Sequence, residues 1–350
     1  MSLTIGVWAQ PVDRAGLDFV VESERLGVDS VWVPEFWGYD ALAPIAAAAA
    51  VTERIRLASG IVQLGTRTPA MLAMTALSLQ QISEGRFVLG IGTSGPQVME
   101  GWHGVPFSKP VTKTRETIEI IRMVMRGEPL RYDGDVYQLP LADGQGRALR
   151  CAAPPVEVPI YIASLGPKNL HLTGELAQGW IGNSFFCQTA DTFFDSLRSG
   201  ANSAGRSFSE LDLTVSVGVE ITDDVEEAGR RHAEGFAFTF GAMGSASTNF
   251  YNEAFTRQGW GDAVAEVQRL WLAGDREAAA AAVPLEIGLQ QNLIGPPGEV
   301  KRRLREYRDC GVTTLRHMPA GDTLDERLDS LGELMDLVAT VNAEPIISSH

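Results

Sequence analysis

The segment Ser164-Leu165-Gly166-Pro167-Lys168-Asn169 combines three features that bind anions. It follows the apolar stretch Pro159 to Ala163 and opens a run with helical spacing, so the first peptide N–H groups of a helix stand free there. Pro167 suits the first helical position, and Lys168 places a positive charge near the positive end of the helix dipole. A phosphate group fits this combination. The same residues also suit an ordinary capped strand-to-helix loop, and local features leave both readings open.

Acid–base chemistry has fewer candidates. Glu100-Gly101-Trp102-His103-Gly104 pairs a carboxylate with an imidazole beside an aromatic ring, so His103 or Glu100 could move a proton or hydrogen-bond a substrate. A solvent-facing loop histidine is the ordinary alternative. Pro34-Glu35-Phe36-Trp37-Gly38-Tyr39 adds Glu35 and a group of aromatics that suits a flat heterocycle, although such groups are also plain packing.

Gly90-Ile91-Gly92-Thr93-Ser94-Gly95 fits the G-x-G-x-x-G pattern of dinucleotide sites. Its context argues otherwise, because it follows the fourth predicted strand and the next acidic residues, Glu116 and Glu119, fall within a helix. Small residues at a strand end still let a planar ring or a phosphate approach the backbone. No metal site is expected, since the five histidines lack ligand spacing. Neither a hydrolase elbow nor a Walker sequence occurs.

These residues must be held by elements, and the elements repeat. Leu17, Val20 and Val21 mark a helix over Asp13 to Leu26, Gly27 ends it, and Val28 to Val33 is an apolar strand. The same helix, glycine, strand joint recurs at Lys168 to Asn183 and at Pro297 to Leu315. With Leu3 to Trp8, Ile55 to Ile61, Arg86 to Ile91, Pro159 to Ala163 and Leu213 to Val219, the strands number eight. Helices are expected from Pro69, capped by Thr68, and over Thr112 to Arg126. Strands alternating with helices predict a single α/β domain over 1–350, a (β/α)8 TIM barrel. Two stretches break the rhythm, a hairpin insertion near 130–153 and a mainly helical insertion near 222–293 that includes Gly229 to Phe240, Asp262 to Leu272 and Ala278 to Ala282.

Composition narrows the function classes. The formal charge of −15, with no cluster of Lys and Arg, argues against nucleic acid as a partner. The longest apolar run, Ala41 to Val51, is too short to span a bilayer and contains Pro44. The first residues lack a secretory signal, so a cytoplasmic location is expected. Cys151, Cys187 and Cys310 are odd in number and far apart, which predicts buried thiols and no disulfide framework.

Gly27-Val28-Asp29-Ser30-Val31-Trp32-Val33-Pro34-Glu35, Thr52-Glu53-Arg54-Ile55-Arg56-Leu57 through Ile61, Leu79 to Gly92 and Gly295 to Leu315 together resemble the luciferase-like monooxygenase superfamily, over nearly the whole barrel. Ile162 to Lys168 and the Gly92-Thr93-Ser94-Gly95 loop resemble its branch that uses the deazaflavin coenzyme F420, such as the methylenetetrahydromethanopterin reductases. The resemblance implies a bacterial luciferase-like barrel with the cofactor phosphate at Gly166, Pro167 and Lys168, flanked by Ser164 and Leu165. It places the ring near strands two to four, and the further cofactor-binding candidates are Phe36, Gly60, Ile61, Gly92, Thr93, Ser94, Gly95 and Asn183. It further implies a non-proline cis peptide bond at Gly60-Ile61, a homodimer, and hydride transfer between the deazaflavin C5 and a small organic substrate. Relatives acting on sugars and alcohols often carry Asp-His where this chain has Glu35-Phe36, so their acid–base assignment does not transfer and Glu35, Glu100 and His103 remain the candidates. The alternatives are an FMN-dependent monooxygenase and a non-catalytic flavin-binding or structural barrel.

Overall fold

The computed structural model describes residues 2–243 and 249–345. Its barrel strands are β1 (Thr4–Trp8), β2 (Ser30–Val33), a third strand in two pieces, β3 (Arg56–Ser59) and β4 (Val62–Gln63), and β5 (Phe87–Gly92). An antiparallel hairpin of β6 (Tyr132–Asp133) and β7 (Gln138–Leu139) precedes β8 (Ile160–Ala163), β9 (Gly179–Gly182) and β10 (Asp212–Ser216). Outside the barrel, β11 (Val219–Ile221) pairs in parallel with β12 (Leu293–Gly295), and the chain then returns through β13 (Thr314–His317). The order β3-β2-β1-β13-β10-β9-β8-β5-β4, with β3 also paired to β5, closes a parallel barrel of eight strands, counting β3 and β4 as one.

Period-two alternation decides which side chains fill the barrel. Trp32, Ala58, Val88, Tyr161 and Ile181 meet inside it. Val31, Leu57, Leu89 and Ile162 point outward into the larger core beneath the helices. Because both faces of every strand are covered, the strands read as continuous apolar runs. At their N-terminal ends Arg56 bridges Asp29 and Asp212, and the Tyr161 hydroxyl donates to Asp212 at 2.7 Å. This polar plug closes the end away from the candidate site.

The repeated glycine has two causes. Gly27 and Gly311 have φ of +85° and +101°, the left-handed region that ends a helix. Gly179 does not, and its missing side chain makes room for Tyr161, whose Cε2 would lie 2.5 Å from a Cβ there.

Four departures from the sequence expectations have local reasons. The third strand does not run unbroken to Ile61, because the chain leaves the strand at Gly60-Ile61 and rejoins it at Val62. The seventh ends at Ser216, and Val219–Ile221 instead pairs with Leu293–Gly295, so the long insertion starts and ends on neighbouring strands. Gly229 to Phe240 is two helices, Val225–Glu234 and Phe236–Ala242, broken at Gly235. A helix not anticipated, Leu324–Asn342, opens with a Thr323–Glu326 capping box and buries Leu331, Leu334, Val338 and Val341. The insertion has its own apolar cluster, with Phe240, Phe255, Val267 and Ile287 around Phe186 from the loop after β9. Residues 244–248 of that segment lie outside the described residues.

The three cysteines are free, as expected, but half-buried rather than buried. Cys187 and Cys310 are 123 residues apart, yet their sulfurs approach to 3.4 Å as free, half-buried thiols. Among the described residues no helix is long and apolar enough to cross a membrane, and no cluster of metal-ligating side chains occurs.

Candidate active site

The C-terminal ends of β3, β4, β5 and β8 meet around the Gly60-Ile61 bond. The Gly60-Ile61 peptide bond is cis. Gly60 donates its N–H to the Val33 carbonyl at 2.8 Å, and Trp8 packs so close that a Cβ on Gly60 would lie 2.7 Å from its Cζ3. Ile61 turns toward Gly92, where a Cβ would meet the Ile61 Cδ1 at 3.0 Å and the Ala163 Cβ at 3.4 Å. Gly92 is the register partner of both Gln63 and Ala163, so the cis bond, the end of β5 and the end of β8 are neighbours by sheet geometry.

That geometry explains the glycine motif. A Cβ on Gly90 would fall 1.8 Å from the Ser59 carbonyl oxygen, and the Ser59 hydroxyl both accepts from the Gly90 N–H at 2.9 Å and donates to the Gly90 carbonyl at 2.8 Å. The first glycine thus permits β3 and β5 to close beside the Gly60-Ile61 break. Arg316, which no sequence signal singled out, lies among the same residues. It is fully buried, 4.9 Å over the Trp8 ring and 5.1 Å over the Trp32 ring, and donates to the Gly182 carbonyl. Burial pulls its guanidinium down to about 9, partly opposed by Asp212.

The three acid–base candidates meet different fates. Both oxygens of buried Glu35 are engaged by Arg67, Oε1 by Nη1 at 2.9 Å and Oε2 by Nη2 at 2.8 Å. Oε2 also accepts from the Ala41 N–H at 3.2 Å and Oε1 from the Gln63 N–H at 3.4 Å. Such a carboxylate holds backbone and cation in place. Glu100 is exposed and accepts from the Phe107 N–H at 2.9 Å, which ties its loop together. His103 is exposed, and its Nε2 lies 2.9 Å from the Oε1 of Gln63, the last residue of β4. Phe36 and Trp102 stand exposed by 58% and 65%.

The loop expected to hold an anion emerges on the next strand. Gly166 caps the helix Pro167–Leu176 in extended backbone and a Cβ there would meet open space, with Pro167 in the first turn. Lys168 is exposed and has no ion-pair partner among the described residues. Ser164 is turned inward instead, its hydroxyl 2.8 Å from Thr173 Oγ1 and its carbonyl accepting from Trp180 Nε1. The Leu165 carbonyl accepts from Nη2 of Arg257 at 2.5 Å. Arg257 comes from the helical insertion, and only the tertiary structure brings this second cation to the loop. Thr93 and Ser94 follow β5 beside the loop, Ser94 with φ of +57°, and Gly95 caps the short helix Pro96–Met99. Half-buried Asn183 follows β9, the neighbour of β8. A surface hollow of about 520 Å³ lined by Pro167, Lys168, His171, Asp195, Ser196 and Ser199 opens on the outer side of this loop.

Comparison with known proteins agrees with this architecture. Residues 7–314 match the family model described as luciferase-like monooxygenase. A Mycobacterium tuberculosis protein provisionally named a coenzyme F420-dependent oxidoreductase is 34% identical over 324 residues, covering 90% of this chain and 93% of that protein. The 5,10-methylenetetrahydromethanopterin reductase of Methanolobus tindarius is 28% identical over 315 residues, covering 89% and 92%. The solved coenzyme F420-dependent tetrahydromethanopterin reductase of Methanopyrus kandleri superposes with a TM-score of 0.77 at 23% identity, covering 95% of this chain and 98% of that one. The chain belongs to the luciferase-like monooxygenase family, and its barrel is that family's barrel.

Proposed function

We propose that the protein is a coenzyme F420-dependent oxidoreductase that transfers a hydride between the deazaflavin C5 and a small organic substrate. The observation that carries this reading is the adjacency of two features on neighbouring strands, the closely packed floor of Gly60, Ile61, Gly92 and Ala163 and the open helix start at Gly166-Pro167-Lys168. The F420 names of the relatives, matched over about nine-tenths of this chain, support the deazaflavin over FMN.

The residues present fit such a cofactor. At Gly60 and Gly92 the space of a side chain is taken by Trp8 and Ile61, which back the strand ends against which a flat ring would lie. Free N–H groups of the helix Pro167–Leu176, with Lys168 beside them, would hold a phosphate. When bound, the coenzyme supplies the hydride chemistry. The chain orients, excludes water through Phe36 and Trp102, and moves a proton at His103. A homodimer belongs to the same reading and is measured by light scattering after size exclusion.

Titration of the purified protein with F420 and, separately, with FMN tests the assignment. F420 is expected to bind at micromolar concentration or tighter, with FMN at least about tenfold weaker, a difference of roughly 1.4 kcal/mol. Tight FMN binding with oxygen uptake, and no binding of F420, would overturn it.

A further inference from the structure

Gln63 is almost fully buried and makes three side-chain hydrogen bonds, none of them with a group that the sequence marks as its partner. Its Nε2 lies 3.0 Å from the Glu35 carbonyl oxygen and 3.3 Å from the Phe36 carbonyl oxygen. Both are acceptors only, so chemistry alone settles which way the amide faces: the NH2 group points at the two carbonyls and Oε1 points away from them. That Oε1 is the atom 2.9 Å from His103 Nε2. An amide oxygen cannot donate, so Nε2 of His103 must carry the hydrogen.

We infer that Gln63 is a positioning residue that locks His103 in its Nε2–H tautomer and leaves Nδ1 as the atom that exchanges a proton with substrate. No group among the described residues bonds Nδ1. The support behind Gln63 is rigid. Its own N–H donates to Glu35 Oε1, and Glu35 is held by Arg67, which Asp40 approaches at 3.9 Å. The row Arg67, Glu35, Gln63, His103 therefore runs from a partly buried ion pair to the loop that carries Trp102, and Glu35 acts through Gln63 without touching substrate.

The inference rests on the hydride-transfer reading for its purpose, though not for its geometry. An acceptor with a polar double bond to carbon, a carbonyl or an imine, suits it. Hydride arriving at the carbon breaks the π bond and leaves the electron pair on the heteroatom. The Nδ1–H of a His103 imidazolium gives that heteroatom its proton, and the ring returns to neutral Nε2–H. The two electrons come from the reduced deazaflavin.

The tautomer is directly measurable in the protein without any ligand. With 15N-labelled histidine, at a pH above which the His103 signals no longer move, long-range proton–nitrogen correlation is expected to give His103 a pyrrole-type Nε2 and a pyridine-type Nδ1, assigned by loss of those signals in His103→Gln. Gln63→Met is expected to replace this single pattern by the averaged shifts of mixed tautomers. A Nδ1–H or averaged pattern in the unmodified protein overturns the inference, as does an unchanged pattern in folded Gln63→Met. Should that variant not fold, the measurement on the unmodified protein decides alone. Failure of F420 to bind would instead remove the cofactor reading and leave this result standing.

Discussion

Arg67 grips Glu35 with both guanidinium prongs, Nη1 to Oε1 at 2.9 Å and Nη2 to Oε2 at 2.8 Å, one residue before Phe36 in the chain. Glu35 is 9% exposed, and removing its charge would leave Arg67 and the Ala41 N–H with a weaker partner. Glu35→Gln is expected to lose about 1–3 kcal/mol of stability, less than a fully buried pair because Arg67 retains some solvent. Urea unfolding of the two proteins checks this, and equal midpoints with equal slopes would mean that the pair does not anchor the mouth.

Lys168 offers a test of the phosphate assignment that stability does not confound. It is exposed and without an ion-pair partner among the described residues, so Lys168→Glu should melt within a degree or two of the parent. Its F420 affinity should nevertheless fall by about tenfold or more, since a charge-assisted contact becomes a like-charge one. Fluorescence titration reads the difference, and unchanged affinity would take the Gly166-Pro167-Lys168 loop out of the site.

Gly90 and Gly166 make a matched pair. A Cβ at Gly90 would fall 1.8 Å from the Ser59 carbonyl oxygen, whereas one at Gly166 meets nothing. Gly90→Ala is expected to cost about 3 kcal/mol or more, because two strand backbones must move apart. Gly166→Ala should stay within about 1 kcal/mol of the parent, its φ of −76° being open to any residue. Chemical denaturation of both variants, compared at equal slope, gives the answer; similar losses would show that strand contact at Gly90 is not what the glycine serves.

His317 should make the fold acid-sensitive. Burial holds its imidazole down to about 4 from the usual 6.5, and neither ring nitrogen has a hydrogen-bond partner among the described residues. Between those values the unfolded chain binds more protons than the folded one, so stability is retained above the unfolded pKa and lost as pH falls from about 6.5 to about 4. The loss from this group alone is up to about 3 kcal/mol. Stability measured against pH for the parent and for His317→Leu should diverge across that window, with the variant less sensitive; parallel curves would show that His317 does not contribute.

How much of this was legible beforehand depends on the range of the forces involved. The barrel strands at Leu3–Trp8, Val28–Val33 and Arg86–Ile91, and the helix start at Pro167, follow from apolar runs, glycine punctuation and proline geometry. Each depends on residues close in sequence and survives wherever the segment is placed. The loop Gly166-Pro167-Lys168 is of this kind, because its free N–H groups and its charge are consecutive.

The candidates for proton transfer are not. Glu35, Glu100 and His103 are chemically plausible as types, but Arg67, 32 residues on, takes up Glu35, and the Phe107 N–H takes up Glu100. Gln63 is a polar residue at the end of a strand with no signal of its own, until closure of the barrel sets it between the Phe36 carbonyl and His103, 40 residues away. Arg257 and the Cys187–Cys310 pair are further cases, with partners 92 and 123 residues apart. The amino-acid sequence by itself determined the barrel and the open helix start at Pro167, since both arise from local periodicity and free backbone groups. Only the tertiary structure decided which side chains remain available at the mouth, because a buried polar group must be paired, and strand register chooses its partner.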